Sequence, residues 1–194
     1  MTSFEDELIQ QSKDGDLDSF NQLVESYEGR VYNLTLRMLG NPQDAEDMTQ
    51  EIFVSAWKAI RGFKGGTFGT WLFRIAAHAC IDVLRAKRVH QIDSLDALSP
   101  EYNSLPSSTG SPEDHVLQEE LSQLISQHLL SLPEERRLVV TLADLQGFSY
   151  EEIAQITNSS IGTVKSRLSR GRANLRDLLL KHRELLPPEF RLYK

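Results

Sequence analysis

The stretch from Ser149 to Arg176 constrains this chain more than any other: Ser-Tyr-Glu-Glu-Ile-Ala-Gln-Ile-Thr-Asn-Ser-Ser-Ile-Gly-Thr-Val-Lys-Ser-Arg-Leu-Ser-Arg-Gly-Arg-Ala-Asn-Leu-Arg. Ser149 and Glu152 are spaced as a Ser-x-x-Glu capping box, so a helix is predicted to start near Tyr150. Ala154 sits where two helices must approach closely, which demands a small side chain. Asn158 follows at the turn and tolerates left-handed backbone better than most residues. Ser160 can cap a second helix, whose core-facing residues would be Val164 and Leu168, four apart. Thr163, Lys165, Ser166, Arg167 and Arg170 are then left outward, with Arg172 and Arg176 further along. A basic helix of this width fits the major groove of B-DNA and presents donors to base edges and phosphates. The bland alternative is a solvated basic helix over a small core.

The rest of the chain has the opposite charge. The whole chain of 194 residues carries a net charge of −7, although the second helix is strongly basic. Basic residues gather at Arg85, Lys87 and Arg88 and again after Lys165, while acid dominates the start (Glu5, Asp6, Glu7, Asp14, Asp16, Asp18). This asymmetry implies local DNA contact together with a separate surface for a protein partner. Apolar residues at 40% and charged residues at 25% fit a globular protein of one large or two small domains.

Cys80 is the only cysteine, so no intramolecular disulfide is possible and a reducing, intracellular setting is expected. The acidic start is unlike a signal peptide. No stretch approaches the roughly 20 apolar residues that span a bilayer, so stable membrane insertion is not expected. His78 and Cys80 are two apart on a predicted helix and point different ways. No Cys-x-x-Cys, His-Glu-x-x-His, P-loop or nucleophile elbow occurs, so neither a metal, a cofactor nor a catalytic set is expected.

The periodicity is helical throughout. Phe20, Leu23, Tyr27, Val31, Leu34 and Met38 repeat at three and four, forming one apolar stripe. Gly40-Asn41-Pro42 ends that helix, Asn41 can cap the next, and Pro42 suits its first position. Ala45, Met48, Ile52, Ala56 and Ile60 continue the pattern until Gly62, Gly65, Gly66 and Gly69 interrupt it. A further helix follows from about Thr70, with Leu72, Ile75, Ala79 and Leu84 apolar.

From about Gln91 to Gly110 the chain is rich in Ser and Pro and has no clean period, so it reads as a linker. Helical pattern resumes at Ser111-Pro112 with Leu117, Leu121, Leu124 and Ile125. Another helix opens around Ser131, Pro133 and Glu134 and runs to Leu145, before Gly147. The class is all-α: two small helical domains joined by a flexible linker, the second holding the helix-turn-helix.

Two segments of the first domain stand out. Asp44 to Phe53 puts carboxylates and Gln50 on one helix face and Met48, Ile52 and Ala56 on the other, a pattern that a plain amphipathic helix also satisfies. Phe63 to Arg74 pairs glycines with aromatics beside a basic helix. Glycines allow close approach of the backbone to a ligand, and aromatics and arginines can stack on unpaired bases. Equally, Phe68, Trp71 and Phe73 can simply be core.

Three motifs together carry a family resemblance. They are Asp44-Ala45-Glu46-Asp47 with Gln50, Glu51 and Phe53; Phe63-Lys64-Gly65 with Phe68 and Thr70 to Ala76; and Tyr150 to Ala154 with Gly162 to Leu168 and Arg170-Gly171-Arg172. The chain resembles the extracytoplasmic-function (ECF) sigma factors of the bacterial sigma-70 superfamily. The resemblance implies sigma region 2 over residues 1–90, a linker over 91–112, sigma region 4 over 113–182 and a tail over 183–194.

It further implies that Asp44, Asp47, Gln50, Glu51 and Phe53 dock on the clamp coiled coil of the polymerase beta-prime subunit. Lys64, Gly65, Thr67, Phe68, Trp71, Arg74, His78 and Arg85 would capture and melt the minus-10 element. Ser160, Thr163, Lys165, Ser166, Arg167, Arg170 and Arg172 would read the minus-35 duplex. The implied partners are core RNA polymerase, through its beta-prime and beta subunits, promoter DNA and an anti-sigma factor. The implied location is the bacterial cytoplasm, and no catalytic activity is implied.

The loop from Phe63 to Trp71 looks one residue shorter than in many relatives, and His78 stands where they usually carry Asn. The runner-up is a helix-turn-helix regulator that binds an operator as a dimer without polymerase, which would need a dimer face or effector pocket in the first domain. A nuclease would need clustered carboxylates near the DNA face, and the cluster from Asp44 to Glu51 lies far in sequence from the basic helix.

Overall fold

The computed structural model describes residues 4–93 and 124–181, and no strand occurs among them. The first stretch holds α1 (Phe4–Asp14), α2 (Leu17–Leu39), α3 (Pro42–Ala59), a 3-10 turn (Ile60–Gly62) and α4 (Phe68–Asp93). The second holds α5 (124–130), α6 (Glu134–Val140), a π-helical turn (Thr141–Leu145), α7 (Tyr150–Ile156) and α8 (Ile161–Leu179). The linker from residue 94, the restart at Ser111-Pro112 with Leu117 and Leu121, and the tail over 183–194 lie outside the described residues. Helix α4 runs to Asp93, three residues into the stretch that reads as linker.

Local chemistry sets the boundaries. Asp16 caps α2 by accepting from the Ser19 N–H at 3.0 Å. That helix ends on Gly40 at φ 78°, whose N–H donates to the Leu36 carbonyl at 2.9 Å. The next residue, Asn41, accepts from the Asp44 N–H at 3.0 Å, and Pro42 opens α3. Helix α6 starts without a side-chain cap, and the π turn after it closes with the Gln146 N–H on the Thr141 carbonyl at 3.0 Å.

The apolar stripes meet as their spacing requires. Leu23, Val31, Leu34 and Met38 of α2 pack with Met48, Ile52 and Ala56 of α3 and with Leu72, Phe73 and Ala76 of α4. Each fully buried large side chain contributes about 1.5–3 kcal/mol. Two threonines inside this core are satisfied: the Thr35 and Thr49 hydroxyls lie 3.0 Å apart, and Thr49 donates to the Ala45 carbonyl at 2.7 Å. In the second stretch Leu129, Leu132, Leu138, Val139 and Leu142 pack on Ile153, Ile156, Val164 and Leu168. Helices α6 and α8 cross at Gly171, where an added Cβ would stand 2.6 Å from Val140 Cγ2.

The two stretches also pack on each other. Helix α4 lies against α7, and α2 meets α6 and the π turn. Phe73 of α4 meets Phe148 edge-on, with ring centroids 4.8 Å apart. Leu130 covers Gly40, where an added Cβ would approach Leu130 Cδ1 to 2.7 Å.

Candidate nucleic-acid and polymerase interfaces

The helix-turn-helix is built by its caps. The Ser149 N–H donates to Glu152 Oε2 at 2.9 Å, and the Glu152 N–H donates to Ser149 Oγ at 3.2 Å, completing the capping box. Donors from Ser149, its backbone first and then its hydroxyl, hold the Glu152 carboxyl below its ordinary pKa. Asn158 takes the left-handed turn at φ 48°. Ser160 caps α8, accepting from the Thr163 N–H at 3.1 Å.

Val164 and Leu168 point into the core, which leaves Ser160, Lys165, Ser166 and Arg170 exposed. Thr163 is half-buried, and its hydroxyl lies 2.9 Å from Ser160 Oγ. Arg167 is also half-buried and pairs with Glu135 of α6. Arg172 grips Asp144 with two nitrogens, its Nε at 3.0 Å from Oδ2, and the bond to Asp144 pushes its pKa up. Pairs this exposed contribute about 0–1 kcal/mol, so a phosphate or base can displace either carboxylate at little cost.

On α3, Asp47, Gln50 and Glu51 are exposed on one face. Asp44, at the start of the same helix, is half-buried and pairs with Lys87 of α4. Phe53 departs from the sequence expectation: its ring is buried in the core beneath the face rather than presented on it. The buried residues Thr49, Ile52 and Ala56 on the same side of α3 fix that orientation. Val54 is the apolar residue that this face does expose, at 52%, one turn on from Gln50. The signal was an aliphatic residue in a polar stripe.

Between the 3-10 turn and α4 the loop exposes Lys64, Gly65, Gly66 and Thr67. Both glycines adopt positive φ, 115° and 88°. Thr67 works for the helix as well: its Oγ1 accepts from the Thr70 N–H at 3.4 Å and donates to the Thr70 hydroxyl at 2.6 Å. Phe68 is a second departure. It is 1% exposed, in an aromatic cluster with Tyr27, Phe63 and Trp71 at centroid distances of 5.4, 6.1 and 5.4 Å. A ring so enclosed shapes the loop from below and offers no face to a base.

Trp71 is half-buried in the same cluster. Arg74 and His78, one turn apart on α4, are exposed, and so is Arg85, 3.7 Å from Asp82. Arg74 nevertheless donates from Nε to the Gln155 carbonyl of α7 at 3.0 Å. Arg74 and His78 thus line a cleft of about 690 Å³ together with Gln155, Asn158 and Ile161 of the helix-turn-helix.

Among the described residues no cluster of His, Cys, Asp and Glu could hold a metal ion, and no helix is long and apolar enough to cross a membrane. Burial pushes the Cys80 thiol up to about 12.

Comparison with known proteins agrees with this geometry. Residues 23–89 match the family model Sigma-70 region 2, and residues 122–175 match Sigma-70, region 4. Over 176 residues the chain is 39% identical to the ECF RNA polymerase sigma factor SigW of Bacillus subtilis (strain 168), covering 88% of this chain and 94% of that protein. It is 36% identical over 170 residues to the ECF RNA polymerase sigma-E factor of Escherichia coli (strain K12), covering 85% and 88%. It is 39% identical over 165 residues to the ECF RNA polymerase sigma factor SigE of Mycolicibacterium smegmatis, covering 84% of this chain but spanning only 63% of that longer protein.

Among solved structures, the sigma factor RpoE of Bartonella quintana in complex with the anti-sigma factor NepR superposes with a TM-score of 0.71 at 27% identity, over 84% of this chain and 98% of that one. CnrH in complex with the cytosolic domain of CnrY gives 0.63 at 27%, over 89% and 94%. A basic, capped helix-turn-helix, an acidic α3 face and a glycine loop, carried on two matched sigma-70 regions, place the chain in one family: it belongs to the ECF sigma factors of RNA polymerase.

Proposed function

We propose that the chain acts as an alternative sigma factor, which binds core RNA polymerase and directs initiation at a restricted set of promoters. The single observation that carries the reading is α8. Its outer face offers Lys165, Ser166 and Arg170 to solvent over a buried Val164 and Leu168, in a chain whose net charge is otherwise negative. Within this reading Ser160, Thr163, Lys165, Ser166, Arg167, Arg170 and Arg172 serve the minus-35 duplex. Asp44, Asp47, Gln50 and Glu51 meet the beta-prime clamp, with Val54 adding apolar area and Phe53 supporting the helix from the core. Lys64, Gly65 and Thr67 offer loop atoms to an unpaired minus-10 base, while Phe68 and Trp71 hold the loop in shape. Arg74, His78 and Arg85 follow the displaced strand.

The chain contributes recognition and strand separation rather than a reaction of its own, and it works in the bacterial cytoplasm. By analogy with the RpoE–NepR pair, an anti-sigma factor is a partner. Domain limits near residues 90 and 113, with a tail beyond 182, go with this assignment.

Run-off transcription with core polymerase, on a promoter selected from random DNA, tests the reading. The expected result is a discrete transcript dependent on the chain. Duplex binding without polymerase association or transcript would favour the operator-binding regulator instead.

A further inference from the structure

The match to Sigma-70 region 2 begins at residue 23, so α1 lies ahead of it. None of the residues assigned to DNA or polymerase is on this helix. Its placement nevertheless bears on the glycine loop. Leu8 and Ile9 bury their side chains in the core, and α1 packs on α2 and on the 3-10 turn that leads into the loop. Its last turn is tied down: the Gly15 N–H donates to the Ser12 carbonyl at 3.1 Å, the Asp16 N–H to the Gln11 carbonyl at 3.0 Å, and the Ser19 hydroxyl to Gln11 Oε1 at 2.6 Å.

Two side chains of α1 then reach the two ends of the loop. At the far end, Glu5 Oε1 accepts from the Tyr27 hydroxyl at 2.7 Å. The Tyr27 ring meets Phe68 edge-on and stands against the backbone of Gly69, where an added Cβ would come within 3.2 Å of Tyr27 Cε1 and 3.4 Å of its oxygen. Phe68 and Gly69 open α4, so their N–H groups have no partner inside the helix. The Tyr27 oxygen accepts a backbone bond from Gly69 and donates to Glu5. Burial first, and then the bond to Glu5, push this hydroxyl up to about 12, so it stays protonated and remains a donor at neutral pH.

At the near end, Lys13 Nζ lies 5.8 Å from the centroid of the Phe63 ring, close enough for attraction to the ring face. Phe63 is itself buried against Phe68 and Trp71. Between these fixed ends the loop is open. Gly65 and Gly66 are exposed, and nothing stands within 4 Å of a Cβ added to either. Such a segment has much conformational freedom to lose when it closes on a ligand. Setting its ends beforehand reduces that cost.

We propose that α1 is a positioning element for the glycine loop, in which Glu5 holds Tyr27 against Gly69 so that the loop meets an unpaired base with its far end already set. Glu5 and Tyr27 are positioning residues that act through Phe68 and Gly69 and touch no DNA. The proposal rests on the sigma-factor reading for the ligand of the loop, but not for the brace itself.

The test uses the full chain as wild type, Tyr27→Phe, Glu5→Ala and Glu5→Gln. Tyr27→Phe keeps the ring on Phe68 and removes only the hydroxyl. Glu5 is half-buried at the first turn of α1, so its variants keep the proposal testable if Tyr27→Phe fails to fold. Circular dichroism identifies the folded variants. Hydrogen exchange of the amides of residues 63–70, in the chain alone, reads the brace. With the chain bound to core polymerase, titration with a single-stranded minus-10 oligonucleotide from the selected promoter reads the consequence, and a minus-35 duplex serves as control. Tyr27→Phe and Glu5→Ala should exchange faster over residues 63–70 and bind the single strand about two- to tenfold more weakly, as for one lost hydrogen bond. Duplex affinity should not change, and Glu5→Gln, which keeps an acceptor oxygen, should recover most of the loss. Unaltered exchange in the folded variants overturns the brace. Faster exchange with unaltered single-strand affinity, or an equal loss on duplex and single strand, overturns its bearing on the loop's ligand. Wild type that binds neither DNA counts against the sigma-factor reading, while the exchange measurement still decides the brace.

Discussion

The guanidinium of Arg167 on α8, the helix proposed to read DNA, is engaged by the carboxylate of Glu135 on α6. Glu135 is mostly exposed, so the pair is worth about 0–1 kcal/mol. A bidentate contact to a base is worth roughly 1–3 kcal/mol. The base therefore wins whenever it is within reach, and Glu135 parks the arginine until then. Arg167→Ala should weaken binding to a minus-35 duplex by about that amount and relax preference at one position. Lys165→Ala and Arg170→Ala should each reduce the salt slope by about one unit and leave preference intact. Titration against a duplex library at several salt concentrations separates the two behaviours, and unchanged affinity and preference in all three variants would remove α8 as the reader.

The α3 face makes a prediction about polymerase. Asp47 and Gln50 are exposed, so changing them should not disturb the core. Asp47→Arg combined with Gln50→Ala should weaken core binding by about 2–5 kcal/mol if a desolvated charge pair is lost. A pull-down titration measures this, and an unaltered midpoint would move the clamp contact elsewhere.

The glycine loop separates presentation from support. Lys64 is exposed, whereas Phe68 is enclosed by Tyr27, Phe63 and Trp71. Phe68→Ala should cost about 3–5 kcal/mol of stability, as for other buried Phe to Ala changes. Lys64→Ala should leave the melting temperature unchanged and reduce open-complex formation on duplex promoter, with partial rescue on a pre-melted template. Calorimetry and permanganate footprinting of the two variants give the comparison. A Phe68→Ala protein of normal stability would show that the ring is not core.

Glu152 links the capping box to pH. Its folded pKa lies below the ordinary 4.5 because Ser149 donates to the carboxylate. The stabilisation is therefore fully present above pH 4.5 and is lost as pH falls through the folded value. Glu152→Gln keeps an acceptor oxygen for the Ser149 N–H but removes the charge at the helix N-terminus, so it should destabilise the protein at neutral pH by about 0.3–1 kcal/mol. Denaturant melts should show the gap to wild type narrowing as pH falls below the ordinary 4.5. A constant gap across that range would mean that the carboxylate charge is not what the cap uses.

The features legible in the sequence are those whose partners lie within a few residues. Asn41, Ser149 and Ser160 each cap an N–H three positions ahead, and Asn158 supplies its own left-handed turn, so spacing alone finds them. The stripes through α2, α3 and α8 were legible for the same reason. Phe53 and Phe68 were placed on surfaces because a motif carries them, and their burial follows from neighbours that only the folded chain assembles. Arg30 of α2 donates to Gln146 at 3.2 Å although the two stand 116 positions apart, and nothing local marks either one. The meeting of the two units was illegible because each of them, taken alone, already had a satisfactory amphipathic pattern.

Gly171 sits at the crossing of α6 and α8, with Val140 Cγ2 only 2.6 Å from where an added methyl would stand. Val140 is buried and β-branched, so it cannot swing aside. The crossing of α8 on α6 thereby leaves no room for one more carbon atom. Under the proposed function, the face of α8 is therefore set in part from behind: a single methyl added at Gly171, on the dry side of the helix, would push α8 away from α6 and displace Lys165 and Arg170 with every outward residue unchanged.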